Sequence, residues 1–318
     1  MDAEVLPEKH TAHRRPRRAL LLVNRASRRG GASVQAALDG LEAAGITLHF
    51  EQPATREDIS RIINARADEL DCVIVGGGDG TLNAAAPALL QTGLPLGILP
   101  LGTANDLART LGLPSDLRAA AAVIAAGDSR RIDVGLVNGH PFLNVASLGL
   151  STDLAARLTG QGKRRLGRLS YPWAALQVLT KARPFRAMIL SKEGATRVRT
   201  FQITVGNGRY YGGGIPVRHD ARIDDGRLDL SSLELPGIWS LMLMAPAFRQ
   251  GTHGAWREVR DQGCIRFEVR TRRPRPVNLD GELLTLTPAR FELLPGALQV
   301  YAPSIKPGGI TPPPVQIS

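Results

Sequence analysis

Apolar and polar positions alternate in two different ways along this chain, and the change falls near Arg130. Before that point, short apolar runs are separated by segments in which apolar residues recur at helical spacing. The runs predicted as buried strands are Ala19–Asn24, Ile46–Glu51, Cys72–Val75 and Leu96–Leu99. Alternating strand and helix units of this kind predict a parallel sheet covered on both faces, which is a doubly wound α/β domain.

The helices between these strands carry start signals. They are predicted over Ser33–Ala44, from Thr55 to about Leu70, over Leu82–Leu90 and, as a short helix, after Thr103. Thr55 and Asp58 have the spacing of a capping box, in which two side chains bond each other's backbone amides. Thr103 and Asp106 repeat that spacing, so both helices are predicted to begin at a threonine cap.

After Arg130 the pattern changes to short strand-like runs separated in many places by Gly-rich turns. The runs are Arg131–Val137, Pro141–Ser147, Ala187–Leu190, Val198–Val205, Leu228–Leu233, Ile265–Val269 and Arg290–Leu294. Two helical patches, Tyr171–Lys181 and Ile238–Arg249, interrupt them. The second half is therefore predicted to be a mostly antiparallel β domain.

The predicted organisation has four parts: a basic disordered tail over residues 1–17, an α/β domain over 18–130, a β-rich domain over 131–301 and a Pro-rich tail over 302–318. The pattern leaves open whether the last strands return to the first sheet. Arginines of the first tail and its border, such as Arg14 and Arg18, either contact anionic headgroups or are simply solvated.

Composition narrows the function classes. The 318 residues are 43% apolar and 22% charged, which is ordinary for globular proteins, and the formal charge is +11. Such a charge favours nucleic acid, anionic lipid or phosphorylated substrates, although an arginine-rich proteome would also produce it. Aromatic residues are only 4%, so we expect no nucleic-acid partner and favour anionic phospholipid headgroups at a membrane surface.

Neither the cysteines nor the longest apolar window indicates a secreted or membrane-spanning protein. Cys72 and Cys264 have no paired spacing, so neither a disulfide framework nor a zinc site is predicted. The longest largely apolar window, Gly237–Phe248, is shorter than the roughly 20 residues that cross a bilayer. We therefore expect a cytoplasmic protein with peripheral membrane association.

The strongest chemical signal follows the third predicted strand. Residues 73–83 read VIVGGGDGTLN, so a buried strand leads directly into four glycines, an aspartate and a threonine, and then into a helix. Glycines let backbone amides approach a phosphate, and the helix N-terminus adds partial positive charge. Asp79 could hold Mg²⁺ or order the phosphates, and Thr81 offers a hydroxyl. The alternative is a generic Gly-rich turn.

A second loop of the same kind follows the fourth strand. Residues 99–108 read LPLGTANDLA, and ligands of doubly wound sheets bind outside the carboxyl ends of the strands, where both loops would meet. Thr103 could then bond a phosphate and Asn105 a ribose or base. The alternative, that both residues only cap the helix, is compatible with this role.

Together, the motifs G-G-G-D-G-T-x-N and P-x-G-T-x-N-D-x-A resemble the catalytic domain of diacylglycerol kinases, sphingosine kinases and bacterial lipid kinases. The shorter G-G-D-G-T is also shared with NAD kinases and, loosely, with 6-phosphofructokinases. The resemblance covers about Arg18 to Tyr301 and implies ATP and Mg²⁺ as cofactors. The nucleotide-binding residues that it implies are Asn24, Ser27, Gly76, Gly77, Gly78, Asp79, Gly80, Thr81, Asn83, Gly102, Thr103 and Asn105.

Residues 276–283 read PVNLDGEL, which alone predicts a hairpin with an Asp-Gly turn. The resemblance adds a catalytic role, since D-G-E is similar to the late acidic motif of these kinases. It implies that Glu282 is the general base that accepts the proton of a lipid hydroxyl. Asp280 would support Mg²⁺ or orient Glu282.

A second Asp-Gly turn lies in residues 221–229, which read ARIDDGRLD. It is a plain hairpin signal, but in the similar bacterial lipid kinases such a turn binds a structural Mg²⁺. The ligands implied here are the Asp225 carboxylate and the carbonyls of Arg222 and Arg227, a set of oxygens that suits a hard cation. A bare turn is the alternative.

The function predicted from these signals is an ATP-dependent lipid kinase that transfers the γ-phosphoryl group to a lipid hydroxyl. The alternatives are a kinase of a soluble substrate such as NAD, and a nucleotide- or lipid-binding regulator without turnover. The continuation Asn105–Ala108 favours the lipid kinase branch, and intact Asp79 and Glu282 argue against the regulator. Lys163, Arg164, Arg165 and Arg168 are further candidates for headgroup contact.

Overall fold

The fold is described from a computed structural model. The structure describes residues 15–23, 31–153, 182–211, 214–216, 221–235, 237 and 259–303. Several predictions lie outside these ranges: the roles of Asn24 and Ser27, the two helical patches at 171–181 and 238–249, the basic cluster at 163–168, most of the first tail and nearly all of the last.

The first half forms the predicted parallel sheet. Its strands are β1 (Arg18–Val23), β2 (Thr47–Glu51), β3 (Cys72–Gly77) and β4 (Leu96–Pro100). They lie in the order β2-β1-β3-β4 and all pair in parallel. The helices are α1 (Gly31–Ala43), α2 (Arg56–Arg66), α3 (Asp79–Thr92), α4 (Asp106–Thr110) and α5 (Leu117–Ala126).

Helices cover both faces of this sheet because its strands carry apolar side chains on both sides. Leu20, Val73 and Ile98 pack with α2 and α3 in one core. Leu21 and Ile74 point the other way and pack with α1 and α5 in a second core. The doubly wound α/β domain predicted from the sequence is therefore confirmed.

Helix boundaries follow the capping signals in one case and depart from them in another. At α2, Thr55 and Asp58 form the predicted capping box, and a 3₁₀ turn over Ala67–Glu69 replaces the last predicted helical turn. Helix α3 begins at Asp79, three residues before the prediction, because the glycine loop turns directly into it.

The second half contains fourteen further strands. They are β5 (Ser129–Val137), β6 (His140–Phe142), β7 (Val145–Gly149), β8 (Phe185–Ser191), β9 (Gly194–Thr200), β10 (Gln202–Gly206), β11 (Tyr210–Tyr211), β12 (Ile215–Pro216), β13 (Leu228–Leu233), β14 (Val259–Cys264), β15 (Arg266–Thr271), β16 (Pro276–Leu279), β17 (Glu282–Leu286) and β18 (Ala289–Tyr301). Among the described residues, all their pairings with each other are antiparallel, so the predicted antiparallel β domain is confirmed.

Two of the strand predictions merged segments that the fold separates. The run Val198–Val205 is two strands, β9 and β10, which belong to different sheets. The chain changes sheets at Phe201, and the Thr200 hydroxyl donates to a nearby backbone carbonyl at this corner. The run Pro141–Ser147 is likewise divided into β6 and β7 at a second corner. A corner is invisible to hydrophobic periodicity, since both arms of the strand are apolar.

The second half is a sandwich whose larger sheet continues the parallel sheet. Strand β18 pairs in parallel with β4 at one end and antiparallel with β5 and β15, which makes a ten-stranded sheet in the order β2-β1-β3-β4-β18-β15-β8-β9, with β5 attached to β18 and β6 attached to β5. The last strand thus returns to the first domain. The opposing sheet has the order β14-β13-β10-β7-β16-β17, and residues such as Phe267, Phe291, Ile203 and Val277 fill the space between the sheets.

Candidate functional site

The glycine loop lies at the carboxyl end of β3, next to the carboxyl end of β4. Gly76 and Gly77 are buried at the end of β3, and Gly78 is the N-cap residue of α3. Among the described residues no side chain caps this helix, so the cap position leaves its first amides to other partners. Thr81 lies in the first turn of α3, half-buried beneath Gly77. The arrangement suits an anion placed over the loop.

The two predicted nucleotide loops touch. A Cβ on Gly102 would lie 2.4 Å from the Gly78 Cα, and a Cβ on Gly78 would lie 3.0 Å from the Gly102 Cα. Real Cβ atoms do not approach backbone as closely as 2.4 Å, so position 102 requires glycine, and a side chain at position 78 would force the Gly102 backbone to shift. The structure therefore brings together Gly76–Thr81 and Gly102–Asn105, as the doubly wound topology predicts.

Asp79 connects three parts of the molecule. Its carboxylate accepts hydrogen bonds from the Asp106 amide at 3.1 Å and the Leu107 amide at 3.0 Å, and so caps α4. It also accepts from the Asn144 Nδ2 at 3.3 Å, which belongs to the corner between β6 and β7. Asp79 thus fixes both loops and the second domain relative to each other, in addition to any role toward a nucleotide.

The capping box predicted from Thr103 and Asp106 is wrong. Helix α4 begins at Asp106 with Asn105 as its N-cap residue, in the left-handed conformation with φ of 51°. The cap is supplied by Asp79 from another element, which leaves Thr103 exposed at the loop surface. Local spacing cannot reveal a cap that comes from a distant residue.

The remaining predicted nucleotide ligands differ in accessibility. The Asn105 side chain folds back on its own loop, accepting from the Gly102 amide at 2.9 Å and donating to the Gly102 carbonyl at 2.9 Å. Gly80 is half-buried beside Arg56, whereas Asn83 is only 4% exposed on the inner side of α3. A contact of Asn105 or Asn83 with nucleotide stays a prediction.

The β16–β17 hairpin brings the predicted catalytic carboxylates to this cleft. Its two-residue turn is Asp280-Gly281, with positive φ at both positions, as the sequence predicted. The Asp280 carboxylate accepts from the amides of Leu143 at 2.6 Å, Asn144 at 3.0 Å and Val145 at 2.9 Å. The same three amides form the corner between β6 and β7, so Asp280 holds that corner in place.

Burial raises the pKa of Asp280 to about 6, although its three amide donors act in the opposite direction. The negative charge of Asp79 also raises this pKa, which means that the two carboxylates lie close enough to repel each other. A cation between or beside them would relieve that repulsion.

Glu282 is the first residue of β17 and pairs with Arg56, which begins α2 in the other domain. The Glu282 side chain is 28% exposed and that of Arg56 is 41% exposed, so the pair lies at the mouth of the cleft. A Cβ at Gly80 would lie 3.4 Å from the Arg56 guanidinium, so Arg56 also reaches the glycine loop. Burial lowers the pKa of Arg56 from its usual value.

Comparison with known proteins agrees with this geometry. Residues 18–137 match the family model described as the diacylglycerol kinase catalytic domain, and residues 144–302 match the YegS C-terminal NAD kinase beta sandwich-like domain. The chain is 33% identical over 291 residues to a protein of Pseudomonas aeruginosa named "Probable lipid kinase YegS-like", covering 91% of this chain and 95% of the relative.

Two further relatives support the match. A Salmonella typhimurium protein named "Probable lipid kinase YegS" is 33% identical over 276 residues, which is 83% of this chain and 89% of the relative. A crystal structure described as a diacylglycerol kinase from Bacillus anthracis superposes with a TM-score of 0.72 at 25% identity, covering 91% of this chain and 97% of that one.

The chain belongs to the diacylglycerol kinase-like family of lipid kinases. The family resemblance predicted from the glycine motifs is therefore confirmed, and so is the prediction of a kinase. Within the described part of the chain, none of the helices is long and apolar enough to cross a membrane.

In the second Asp-Gly turn, the Asp225 carboxylate pairs with the guanidinium of Arg227. Burial raises the pKa of Asp225 to about 6, despite Arg227, whose Nε lies 3.2 Å from the Asp225 Oδ2 and whose amide donates to the Asp225 Oδ1 at 3.3 Å. Asp229 lies 3.5 Å from the same Nε. Both oxygens of Asp225 face Arg227, and a cation held by Asp225 and the carbonyls of Arg222 and Arg227 stays a prediction.

The sequence patterns predict no role for two residues of the site, Arg56 and Asn144. Arg56 follows the Thr55 cap, and nothing local signals its pairing with Glu282 across the chain. Asn144 lies within a predicted strand run, and nothing local signals that it donates to Asp79. Both contacts join the two domains, so only the tertiary fold can reveal them.

Proposed function

We propose that this chain transfers the γ-phosphoryl group of ATP to the hydroxyl of a membrane lipid, with Mg²⁺ as the metal. The observation that carries the proposal is the meeting of the glycine loop and the D-G-E hairpin, joined by the contact of Asn144 with Asp79 and the pair of Arg56 with Glu282. A phosphate-binding surface and a carboxylate base thereby face one cleft.

The nucleotide side of the reaction is attributed to the glycine loop. Gly76, Gly77 and Gly78 present backbone without Cβ atoms, and the uncapped start of α3 adds the positive end of a helix dipole. Arg56, near Gly80, supplies a guanidinium that suits phosphate oxygens. These groups bind the triphosphate and orient its γ-phosphoryl group toward the hairpin.

The metal is attributed to the aspartates of the cleft. Burial and, as a smaller cause, the charge of Asp79 raise the pKa of Asp280, and a divalent cation beside the two carboxylates would favour their charged forms. Mg²⁺ typically binds one or two carboxylates together with substrate phosphates. When bound there, Mg²⁺ would supply charge neutralisation for the phosphoryl group.

The acceptor side is attributed to Glu282. Its carboxylate takes the proton of the lipid hydroxyl as the oxygen bonds to the γ-phosphorus, and the bond from that phosphorus to the β,γ-bridging oxygen breaks, releasing ADP. The ion pair with Arg56 orients the Glu282 carboxylate until the acceptor enters. The protein would act at the cytoplasmic membrane surface, where its acceptor lies.

The test is a product assay with γ-labelled ATP on total cellular lipid and, in parallel, on NAD. The proposal expects label in a lipid, identified by mass spectrometry, and none in NADP. Label in NADP alone would assign the chain to the soluble-substrate alternative, and label in neither would contradict the proposed transfer.

The variant Glu282→Gln assigns the base. We expect it to lower lipid phosphorylation by about 10²- to 10⁴-fold while ATP binding stays unchanged, since a general base contributes about that much. The control is Glu234→Gln, which removes another arginine-paired carboxylate, and should keep normal turnover. Unchanged turnover in Glu282→Gln would refute the assigned base.

A further inference from the structure

The strand that carries Glu282 continues into an exposed apolar edge. Leu283, Leu284 and Leu286 are 42%, 43% and 53% exposed, and with Phe50 and Ile265 they are the large apolar residues exposed in the described part of the chain. We call these three residues the leucine edge. Strand β17 is the last strand of the six-stranded sheet, so no further strand covers it within the described residues.

A β-bulge at Leu284 places Leu283 and Leu286 on one face. Leu283 pairs with Asn278 and Leu286 pairs with Pro276, while the register shifts between these pairs. Asn278 and Pro276 are two residues apart and share a face of β16, so Leu283 and Leu286 share that face although they are three residues apart. Val277 on the opposite face is fully buried in the sandwich core. Leu283 and Leu286 therefore point away from the core.

The backbone of this edge is partly occupied, which disfavours its use for strand pairing. The Asn138 Nδ2 donates to the Leu286 carbonyl at 3.2 Å and to the Thr285 hydroxyl at 3.0 Å. A peptide or a second copy that added a strand here would have to displace Asn138. The side chains of the edge, rather than its backbone groups, are free to bind a partner.

Positive charge lies near the Leu286 end of β17. Arg272 and Arg273 are exposed in the connection from β15 to β16. This connection is tied to the end of β17, because the Arg275 amide and carbonyl both bond to Thr287 at 2.9 Å. Among the contacts of the described residues, neither Arg272 nor Arg273 has an acidic partner. Apolar side chains flanked by unpaired arginines match a bilayer with anionic headgroups.

We propose that the leucine edge, with Arg272 and Arg273, is the surface that docks this protein on an anionic lipid bilayer. The leucines enter the boundary between headgroups and acyl chains, and the arginines contact the headgroups. Glu282 starts the same strand, so docking places the base at the depth of a lipid hydroxyl. The inference rests on the proposed function for this last consequence, but the docking itself does not require turnover.

The test of the apolar part is binding to vesicles of phosphatidylglycerol and phosphatidylcholine. We expect Leu283→Ser/Leu286→Ser to weaken binding by about tenfold or more, since two leucines that enter the bilayer boundary contribute at least that much. The matched controls, Phe50→Ser and Ile265→Ser, remove equally exposed apolar side chains elsewhere and should bind like the unmodified protein. Equal binding of the leucine variant, or an equal loss in the controls, overturns the inference.

The test of the charged part uses Arg272→Gln/Arg273→Gln on the same vesicles. We expect about tenfold weaker binding at low salt, a smaller loss at high salt and none on pure phosphatidylcholine. The control, Arg118→Gln/Arg186→Gln, removes two exposed arginines from α5 and β8. Binding that does not depend on anionic lipid contradicts the proposed headgroup contact.

Two measurements keep this inference separate from the proposed function. Phosphorylation of lipid in detergent micelles should be nearly normal in the leucine variant, which shows that the site is intact. If no lipid is phosphorylated by any form, the proposed function fails while vesicle binding still decides the docking surface. If sedimentation shows that the unmodified protein is a dimer and the leucine variant a monomer, the edge is a protein interface and the inference is overturned.

Discussion

The two sides of the cleft are built by different means. The glycine side, formed by the loops Gly76–Asp79 and Gly102–Asn105, offers mainly backbone, and its shape follows from strands and glycines that are close in sequence. The hairpin side, formed by the β16–β17 turn, offers carboxylates whose surroundings come from distant segments: amides at 143–145 for Asp280 and Arg56 for Glu282.

The difference between the two sides indicates which property of the site a substitution on each side will change. Changes on the glycine side should act through shape, because backbone approach is the property that matters there. Changes on the hairpin side should act through charge, because its groups are held by hydrogen bonds and ion pairs that reach across the molecule. Substitutions on each side therefore test whether shape governs the glycine side and charge governs the hairpin side.

Gly102→Ala should cause the largest loss on the glycine side. The new Cβ would lie 2.4 Å from the Gly78 Cα and 2.7 Å from the Asn105 Oδ1, so the two loops must separate. We expect weaker ATP binding, measured by calorimetry, and about a 100-fold lower turnover, a loss typical of a misplaced reacting group.

The control for this substitution is Gly40→Ala in α1, where nothing lies within 4 Å of the new Cβ. It should leave turnover unchanged and stabilise the helix slightly. If Gly102→Ala binds ATP normally, the contact between the loops is not needed for the nucleotide, and the shape argument for the glycine side fails.

Asp280→Asn tests the charge argument through stability. Folding raises the pKa of Asp280 to about 6, so the folded state holds this proton more strongly than the unfolded state between about pH 4 and pH 6. The stability of the unmodified protein relative to Asp280→Asn should therefore be greatest near pH 4 and fall by about 2–3 kcal/mol as the pH rises to 6. Denaturant unfolding without Mg²⁺ at several pH values measures this.

Asp39→Asn provides the reference for that series, since Asp39 is an exposed carboxylate on α1. The same series on this variant shows how the assay responds when the substituted carboxylate is exposed. If the difference for Asp280→Asn does not change with pH, burial does not disfavour the charged form of Asp280, and the hairpin side is not governed by charge.

The features that the sequence predicts are local, and those that it does not predict depend on distant segments. The parallel strands, the capping box of Thr55 and the Asp-Gly hairpin all follow from local patterns, and the structure has them. The missed features are contacts between segments far apart in sequence, such as the cap that Asp79 gives α4. The return of β18 to the first sheet, which the sequence pattern leaves open, is also decided by such contacts, since periodicity does not encode pairing partners.

Arg56→Ala should have an intermediate effect on activity, because Arg56 contacts both the glycine side and the hairpin side of the cleft. Loss of the pair leaves Glu282 less well oriented, so we expect kcat to fall about tenfold, less than for removal of the base itself. The KM for ATP should rise as well, because the guanidinium lies beside Gly80.

Arg56→Lys and Arg61→Ala complete this comparison. Lysine keeps the charge but not the planar fork, so Arg56→Lys should restore part of kcat. Arg61 lies on the same helix and pairs with Asp58 at the surface, so Arg61→Ala should be neutral. A change of KM for ATP with normal kcat in Arg56→Ala would place this residue on the nucleotide side alone.

Asn144→Ala should have the smallest effect. It tests the side-chain hydrogen bond that the Asn144 Nδ2 donates to Asp79. The substitution removes the Nδ2 donor but keeps the Asn144 carbonyl that holds Asn207 and the amide that holds Asp280. We expect a loss of about 1 kcal/mol in stability and a several-fold lower turnover, since Asp79 still caps α4.

A double-mutant cycle with Asp79→Asn gives the energy of that contact directly. If the two sides are coupled through it, the double variant should lose less stability than the sum of the single variants by about 0.5–1 kcal/mol. Asn64→Ala on α2 removes a surface amide contact with Gln91 and should add to Asp79→Asn without interaction. Strict additivity of Asn144→Ala would mean that the glycine and hairpin sides meet without energetic coupling at Asp79, leaving the pair of Arg56 with Glu282 as the connection between them.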